Sequence, residues 1–375
     1  MTTENYIYTS NPKNLKYDIH PKMEIYRGKM INKLCNHVYE ICKKYNPAVK
    51  QAKINIYVIL FCWKNISDND PVVPYNAQGK YDVQQLLDDL ITNELPNLMN
   101  ELKLIPFLEK CMKKINKKIT KINFNKKIKI NDTGKQLFYK KHNVKYSDIV
   151  IDKLNKFYNN AYSGDKKIIY FCILYRYEIL GADNQQLAMS SSFKEDLKKT
   201  MNLNVELFGS SVNRYFDNYC SLFYDLEKYF GSLGNFSDIK LIKGLYFANP
   251  PFDLHIMETM VYKLIEFLKN TSHPLGFIIT IPVWDGETQK KINKQCKTYF
   301  VSDLKYRARE LIVNSGYMYK EYIFCKNDFP YYNFTKEQHI NAANTYIYII
   351  KNELLEFNIR VFEKLLFKNK LKFIR

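Results

Sequence analysis

The sequence predicts an α/β protein in two parts, a mostly helical N-terminal stretch followed by a mostly parallel sheet wrapped by helices. Three observations carry that reading. Residues 1 to about 200 show apolar residues at helical spacing. From about residue 200 strand and helix signals alternate. The run "LGFIITI" (275–281) is apolar at nearly every position, as in a strand covered on both faces.

In order along the chain, a polar and disordered start gives way to "VILFCW", a short apolar run that suits a buried helix or a strand equally. "DVQQLLDDLITNELPNLMNELKLIPFLEKCMKKI" places Leu86, Leu90, Leu95, Leu98 and Leu102 at helical spacing, with breaks expected at Pro96 and Pro106. After residue 200, "NVELF" (204–208) reads as a strand running into the turn "GSSVN". A helix is expected next, with Tyr215, Tyr219 and Phe223 on one face. "LYFA" (245–248) is a second strand, closed by Asn249-Pro250-Pro251. Leu254, Met257, Val261, Leu264 and Leu268 then form one helical stripe, with Asp253 placed to cap its start. "TYIYII" (345–350) reads as a late strand.

Composition narrows the function classes. With 46% hydrophobic and 15% aromatic residues in 375, the chain is globular and long enough for two domains, divided at 1–200 and 201–375. No apolar run is long enough to span a bilayer, and the N-terminus lacks the apolar stretch of a secretory signal, so an intracellular protein without a membrane role is expected. The eight cysteines show no metal-binding spacing and read as reduced thiols, with no metal. The net charge of +19 points to a polyanionic partner, either nucleic acid or an anionic membrane surface, or else to a solvated lysine surface on an AT-rich codon background. Between Lys103 and Tyr146, fourteen lysines, among them Lys113, Lys114, Lys117, Lys118, Lys126 and Lys127, stand against Glu109 and Asp132, with aromatic residues interleaved. That pattern fits a surface that tracks phosphates and stacks bases; a charged solvent face fits it too.

The chemistry centres on "FANPPFD" (247–253). In open α/β sheets, ligands bind at the carboxyl ends of strands. Two prolines stiffen the turn that carries Asn249 there, and Pro250 keeps its carbonyl while lacking a donor. An amide oxygen and a carbonyl beside the ring of Phe252 make a seat for a planar base bearing an amino group. Such an amine is a poor nucleophile, because its lone pair is delocalised into the ring. Acceptors off the ring plane free that lone pair, which suits methyl transfer by positioning. The alternative is a plain rigid turn, with Asn249 capping the next helix and Phe252 in the core.

At these residues the chain resembles the phosphorylated CTD-interacting factor family, cap-specific adenosine N6-methyltransferases also called CAPAM. The stretches that carry the likeness are "ELFGSSVNRYFDNYCSLF" (206–223), "YFGSLGNF" (229–236), "ANPPFDLHIMETMV" (248–261) and "LGFIITIPVW" (275–284). The resemblance implies a Rossmann-like S-adenosylmethionine-dependent methyltransferase core. The implied reaction transfers methyl from S-adenosylmethionine to N6 of the first transcribed, 2′-O-methylated adenosine beside a 7-methylguanosine cap. It implies a catalytic role for Asn249, Pro250, Pro251 and Phe252, and a donor cradle at Phe208, Gly209, Ser210 and Asn213. Asp225 and Glu227, just before Gly231 and Ser232, are implied acceptors for the donor's ribose. Trp284, in the Ile-Pro-x-Trp match, and Trp63 are candidates to stack on a base or cap, with a core position as the alternative. The family carries Glu where this chain has Phe247, and Ala where it has Gly209. The family's paired tryptophans of a WW module are absent, so no link to the polymerase tail is expected. A compact, lysine-rich member on this composition fits a large DNA virus, placed in the cytoplasm at a viral factory or in the virion, with the nucleus as the alternative. Two other functions stay open, an N6-adenine methyltransferase of internal RNA or DNA and a catalytically silent RNA-binding subunit of the same fold.

Overall fold

The computed structural model describes residues 6–10, 19–66, 70–74, 83–93, 104–124, 126–180, 187–290, 306–334 and 337–369. The chain forms two compact units, and neither follows a single cut at residue 200. One comprises Met1–Pro12, Asp152–Asn159 and Gln185–Arg375; the other, Lys13–Ile151 and Asn160–Asn184. The expected disordered start is corrected at Ile7–Ser10, which is a strand, β1, of the first of these.

The second unit contains α1 (Pro21–Tyr45), α2 (Gln51–Lys64), α3 (Val83–Asn93) and α4 (Leu104–Ile119), and a small antiparallel sheet of β2 (Asn131–Asp132), β3 (Gln136–Tyr139) and β4 (His142–Lys145). Helix α5 (Asp148–Phe157) leads to α6 (Lys166–Ile179). The ambiguous "VILFCW" run lies in α2. Pro106 does not break α4: it stands in the first turn, where a missing N–H costs nothing. Pro96 lies outside the described residues. Helix α1 packs on α2, α4 and α6. Within this core Glu24 takes Arg27 at 2.5 Å and Arg176 at 2.7 Å, and Arg27 reaches Asp70 at 3.0 Å. Four charged side chains buried together compensate one another, the usual condition for burying any of them.

In the first unit, β5 (Leu187–Ala188) and α7 (Ser191–Met201) precede β6 (Val205–Glu206), β7 (Asn218–Tyr219), α8 (Tyr224–Glu227) and β8 (Ile239–Ala248). Then come α9 (Leu254–Asn270), β9 (Leu275–Pro282), α10 (Arg307–Val313), β10 (Met318–Phe324), β11 (Tyr331–Asn333), β12 (Gln338–Ile340), β13 (Thr345–Lys351) and α11 (Ile359–Lys368). The expected helix through Tyr215, Tyr219 and Phe223 is corrected: Tyr219 belongs to a parallel strand, and the fourfold aromatic spacing reflects burial from several directions.

The main sheet runs β10-β13-β9-β8-β6-β7, with β1 antiparallel on β8. Strands β7, β6, β8 and β9 are mutually parallel. Strand β13 is antiparallel to both β9 and β10, so β10 runs with the parallel set and β13 is a reversed strand between them. Side chains alternate to the two faces. Tyr246, Phe277, Ile279, Tyr346 and Tyr348 pack with Met257, Met260, Val261 and Leu264 of α9; Phe247, Ile278, Ile347 and Ile349 pack with Phe193 and Leu197 of α7 and Phe362 of α11. Helices on both faces explain why "LGFIITI" carries no polar alternation, since every position of β9 is buried.

Among the described residues, the cysteines at positions 35, 42, 62, 111, 172 and 220 are buried thiols outside any disulfide. Cys325 is disulfide-bonded, which corrects the reading of all eight as reduced.

Candidate active site

Three turns follow adjacent parallel strands at one end of the sheet. Strands β6, β8 and β9 are adjacent and parallel, so their carboxyl ends face the same way. Beyond β6 lies the turn 207–213, beyond β8 Asn249 to Asp253, and beyond β9 Val283 and Trp284. From β6 the chain goes first to β7 on one side and then to β8 on the other. The gap between β6 and β8 is therefore a topological switch point, where open α/β sheets open a ligand crevice.

The first turn is built from its own side chains. Asn213 Oδ1 accepts from the Ser210 N–H at 2.8 Å and the Ser210 hydroxyl at 3.0 Å, and the Asn213 N–H donates back to Ser210 Oγ at 3.1 Å. Glu227, fully buried, accepts from the Ser211 N–H at 2.8 Å and from the Tyr219 hydroxyl through the same oxygen, Oε2. That oxygen braces the turn from behind instead of facing outward. Lys153, from α5, donates to the carbonyls of Val212 at 3.4 Å and Arg214 at 3.1 Å, with its amine 3.5 Å from the centre of the Phe334 ring. Burial first, then the charge of Lys194, brings its pKa down to about 7, with Arg214 and Lys156 adding to the fall and Glu206 opposing it. Phe208 and Gly209 are the half-exposed lip of the turn. A Cβ on Gly209 would lie 3.2 Å from the Tyr219 ring and 3.4 Å from Glu206, so the neighbours would have to yield slightly to an alanine.

The remaining members of the predicted cradle lie close by. The Ser232 hydroxyl is 2.6 Å from that of Ser221, just past β7, and Ser232 bridges Tyr219. Gly231 takes the left-handed conformation that ends the short helix after α8, with φ at 87°. Asp225 is largely buried in α8. Ser211 Oγ in this turn is buried and has no hydrogen-bond partner among the described residues. Leaving a hydroxyl in that state costs about 1–3 kcal/mol, and a polar ligand in the turn would remove the cost. The turn thus fits a donor molecule with polar groups.

The second turn answers what Asn249 is for. Asp253, not Asn249, caps α9, its carboxylate accepting from the Ile256 N–H at 2.9 Å. The Asp253 N–H in turn donates to the Pro251 carbonyl at 2.8 Å. The amide of Asn249 points elsewhere. Its Nδ2 donates to the Leu187 carbonyl at 3.4 Å, and its Oδ1 accepts from the Thr280 hydroxyl at 2.8 Å. Phe252 is half-buried, edge-on to Tyr331 at 5.5 Å and to Trp284 at 6.2 Å, and Trp284 continues to Tyr306 at 6.0 Å. Pro250 is buried. Phe247 is fully buried beside Phe216. Its register partner on β6 is Glu206, which holds Lys194 at 2.8 Å, so a carboxylate stands across the strand pair from the position where the resemblance led us to expect one.

Trp63 and the lysines belong to the other unit. Trp63 lies on α2, half-buried, with Nε1 unpartnered among the described residues. Lys113, Lys114, Lys117 and Lys118 are all exposed on α4, and Lys126 and Lys127 are exposed beyond it. Helical spacing gathers the four α4 lysines onto one face. Lys118 and Lys22 both sit over the ring of Tyr26, at 5.5 and 5.8 Å. The sequence reading did not single out Thr280, Glu206, Lys153 or Arg214. For Thr280 the signal was present: it is the one hydroxyl in the run "LGFIITI".

The parallel sheet with its reversed strand, carrying the site at the switch point, is that of the Rossmann-like methyltransferases. Residues 153–318 match the family model described as phosphorylated CTD interacting factor 1 WW domain, a likeness confined to that region of the chain. The match takes in all three turns and contains one tryptophan, Trp284. The chain is 32% identical over 157 residues to the mRNA (2′-O-methyladenosine-N(6)-)-methyltransferase of Mus musculus and, equally, to that of Homo sapiens. The alignment covers 39% of this chain and 22% of each relative, so the chain spans under a quarter of the length of these relatives.

Proposed function

We propose that this chain transfers a methyl group from S-adenosylmethionine to N6 of an adenosine in RNA, the first transcribed nucleotide beside a 5′ cap. The observation that supports it most is the convergence of the 207–213 turn and Asn249-Pro250-Pro251-Phe252 on one switch point. The names of the two relatives supply the substrate class. When bound, the donor supplies an electrophilic methyl group on a sulfonium. Ser210, Ser211 and Asn213, with Phe208, Gly209, Asp225 and Ser232, are the residues that would hold it, and Glu227 would keep the turn in shape.

The remaining work is positioning. Asn249 Oδ1 has a lone pair beyond the one given to Thr280, and together with the Pro250 carbonyl it would accept from the substrate's amino group. Phe252, steadied by Tyr331 and Trp284, offers a ring for the adenine. Held by Asn249 and Pro250, the N6 lone pair would form the new N–C bond while the donor's S–C bond breaks to give a neutral thioether, and one proton would pass from nitrogen to solvent. A 5′-terminal adenosine suits such a seat better than a duplex base, which would have to be flipped out at a cost of a few kcal/mol. The exposed lysines of α4 would track the phosphates, and a compact enzyme of this kind fits a virus that caps its own transcripts in the cytoplasm.

The test is methyl transfer from labelled donor to capped, uncapped and internal-adenosine RNAs of matched sequence, with Asn249→Ala alongside. We expect label at N6 of the cap-adjacent adenosine and none with the variant. Equal labelling of all three RNAs would replace the cap-specific reading by a general N6-adenine methyltransferase. Donor-dependent label in Asn249→Ala at the wild-type rate would refute the site.

A further inference from the structure

We infer that Thr280 is a positioning residue for Asn249: its hydroxyl holds the amide oxygen in the orientation that the accept-only Leu187 carbonyl selects. The inference rests on the proposed methyl transfer for its consequence, but its geometry stands apart from it.

An asparagine amide is nearly symmetric in shape. Turned by half a rotation it presents NH2 where it had presented oxygen, at almost no steric cost. For a seat that must accept from an amino group, the difference is total, because the flipped amide sets a donor against a donor. Something in the fold must therefore choose the orientation, and the two contacts of Asn249 make the choice. The Leu187 carbonyl can only accept, so Nδ2 faces it. Oδ1 is then left to face Thr280 Oγ1, and the threonine must be the donor there.

The two contacts are unequal. The bond to Leu187 is 3.4 Å, at the long limit of an N–H···O bond, whereas that to Thr280 is 2.8 Å, the usual distance for an O–H donor. Thr280 is also the better anchored partner. It is fully buried in β9, one position beyond the register pair Ala248–Ile279, and so lies directly beside the turn. Its branched Cβ restricts the rotamer, and its alternative acceptor, the Ala248 carbonyl, is 3.5 Å away. In an otherwise apolar, doubly covered strand a hydroxyl is costly unless bonded. Here the bond goes to the one side chain whose orientation the proposed chemistry needs.

The decisive variants are Thr280→Val, which keeps the shape and removes the hydroxyl, and Thr280→Ser, which keeps the hydroxyl. With the full chain and a capped adenosine RNA, Thr280→Val should lower kcat roughly five- to tenfold, the worth of one hydrogen bond of ordinary strength. The KM for S-adenosylmethionine and the thermal midpoint should stay near wild type, and Thr280→Ser should restore most of the rate. A purely structural role would move the midpoint, and serine would not rescue the rate selectively. Wild-type turnover by Thr280→Val, in a preparation where Asn249→Ala is dead, would overturn the inference and leave the proposed function standing. If the wild-type chain transfers no methyl at all, the proposed function fails instead, and the inference is judged by NMR of the asparagine side-chain amides. The Asn249 NH2 pair, assigned by its loss in Asn249→Ala, should shift toward free-amide positions in Thr280→Val and return in Thr280→Ser. An unmoved pair would overturn the inference on its own.

Discussion

Glu227 offers the sharpest test of how the 207–213 turn is held. Its carboxylate is fully buried, and Oε2 alone receives the Ser211 N–H and the Tyr219 hydroxyl. A hydrogen bond to a charged acceptor contributes about 1.5–3 kcal/mol. Replacing Glu227 by Ala strands both donors, so the two together cost about 3–6 kcal/mol, a large share of the 5–15 kcal/mol of a typical domain. Glu227→Ala is therefore expected to be poorly folded and uninformative about ligand binding. Glu227→Gln is the useful variant. Its amide keeps one carbonyl oxygen but removes the charge, so about half the loss, ~1.5–3 kcal/mol, should remain. Urea unfolding should show a lower midpoint at unchanged slope, and calorimetry should show weaker binding of S-adenosylmethionine, because Ser211 is the residue released. If Glu227→Gln unfolds at the wild-type midpoint, the carboxylate is not bracing the turn. If it is destabilised as expected but binds the donor as tightly as wild type, the turn is braced but is not the donor site.

Two further predictions concern lysines. Changing Lys113, Lys114, Lys117 and Lys118 to Gln should weaken RNA binding whatever the sequence and flatten the log–log salt dependence by up to about 2.8, at ~0.7 per phosphate contact. Filter binding across a salt series checks this, and an unchanged slope returns the α4 face to mere solvation. Lys153, with a folded pKa of about 7 set by burial and by the charges of Lys194, Arg214 and Lys156 against Glu206, should make stability rise with pH. Below pH 7 both states hold the proton and the native state bears the cost of burying it. Between about 7 and the unfolded value near 10.4 the unfolded chain holds more protons, so ΔG of unfolding climbs across that window. Urea midpoints from pH 7 to 10 should climb in the wild type and flatten in Lys153→Met; parallel profiles would mean the amine titrates normally.

What the sequence disclosed and what it hid divide along physical lines. Strands β9 and β13 and helix α9 were legible because long runs declare themselves: each has apolar residues at every position or at regular spacing, and Asp253 caps where a cap was expected. The turns at the strand ends were placed by turn chemistry and by resemblance. Strands β2 to β5, β11 and β12, of two to four residues each, escaped because so short a strand shows no period. Helix α8 and the brace through Glu227 escaped for a different reason. A carboxylate in a polar stretch reads as solvent-facing, and only tertiary packing turns it inward to Ser211. Thr280 was visible as an oddity in an apolar strand, but its partner was 31 positions away in sequence and adjacent only through the parallel pairing of β8 and β9.

Strand β1 bears on how the protein is made. Ser10 pairs with Ile239 and Tyr8 with Leu241, on the same long strand that leads into Asn249. A ribosome moving at about 5–20 residues per second exposes β1 on the order of ten seconds or more before its partner exists. The first strand of the main sheet must therefore wait through the synthesis of the whole lysine-rich unit, and the sheet closes only near the end. The same pairing defines which fragments can be used. A clone begun at residue 201, where the composition changes, omits β1, β5 and α7. It leaves the Ile239–Lys243 stretch of β8 as an open edge, which is a template for aggregation, and removes the Leu187 carbonyl from Asn249. The Asn249 turn therefore depends on chain from before the apparent domain boundary, and any fragment meant to preserve it must include that stretch.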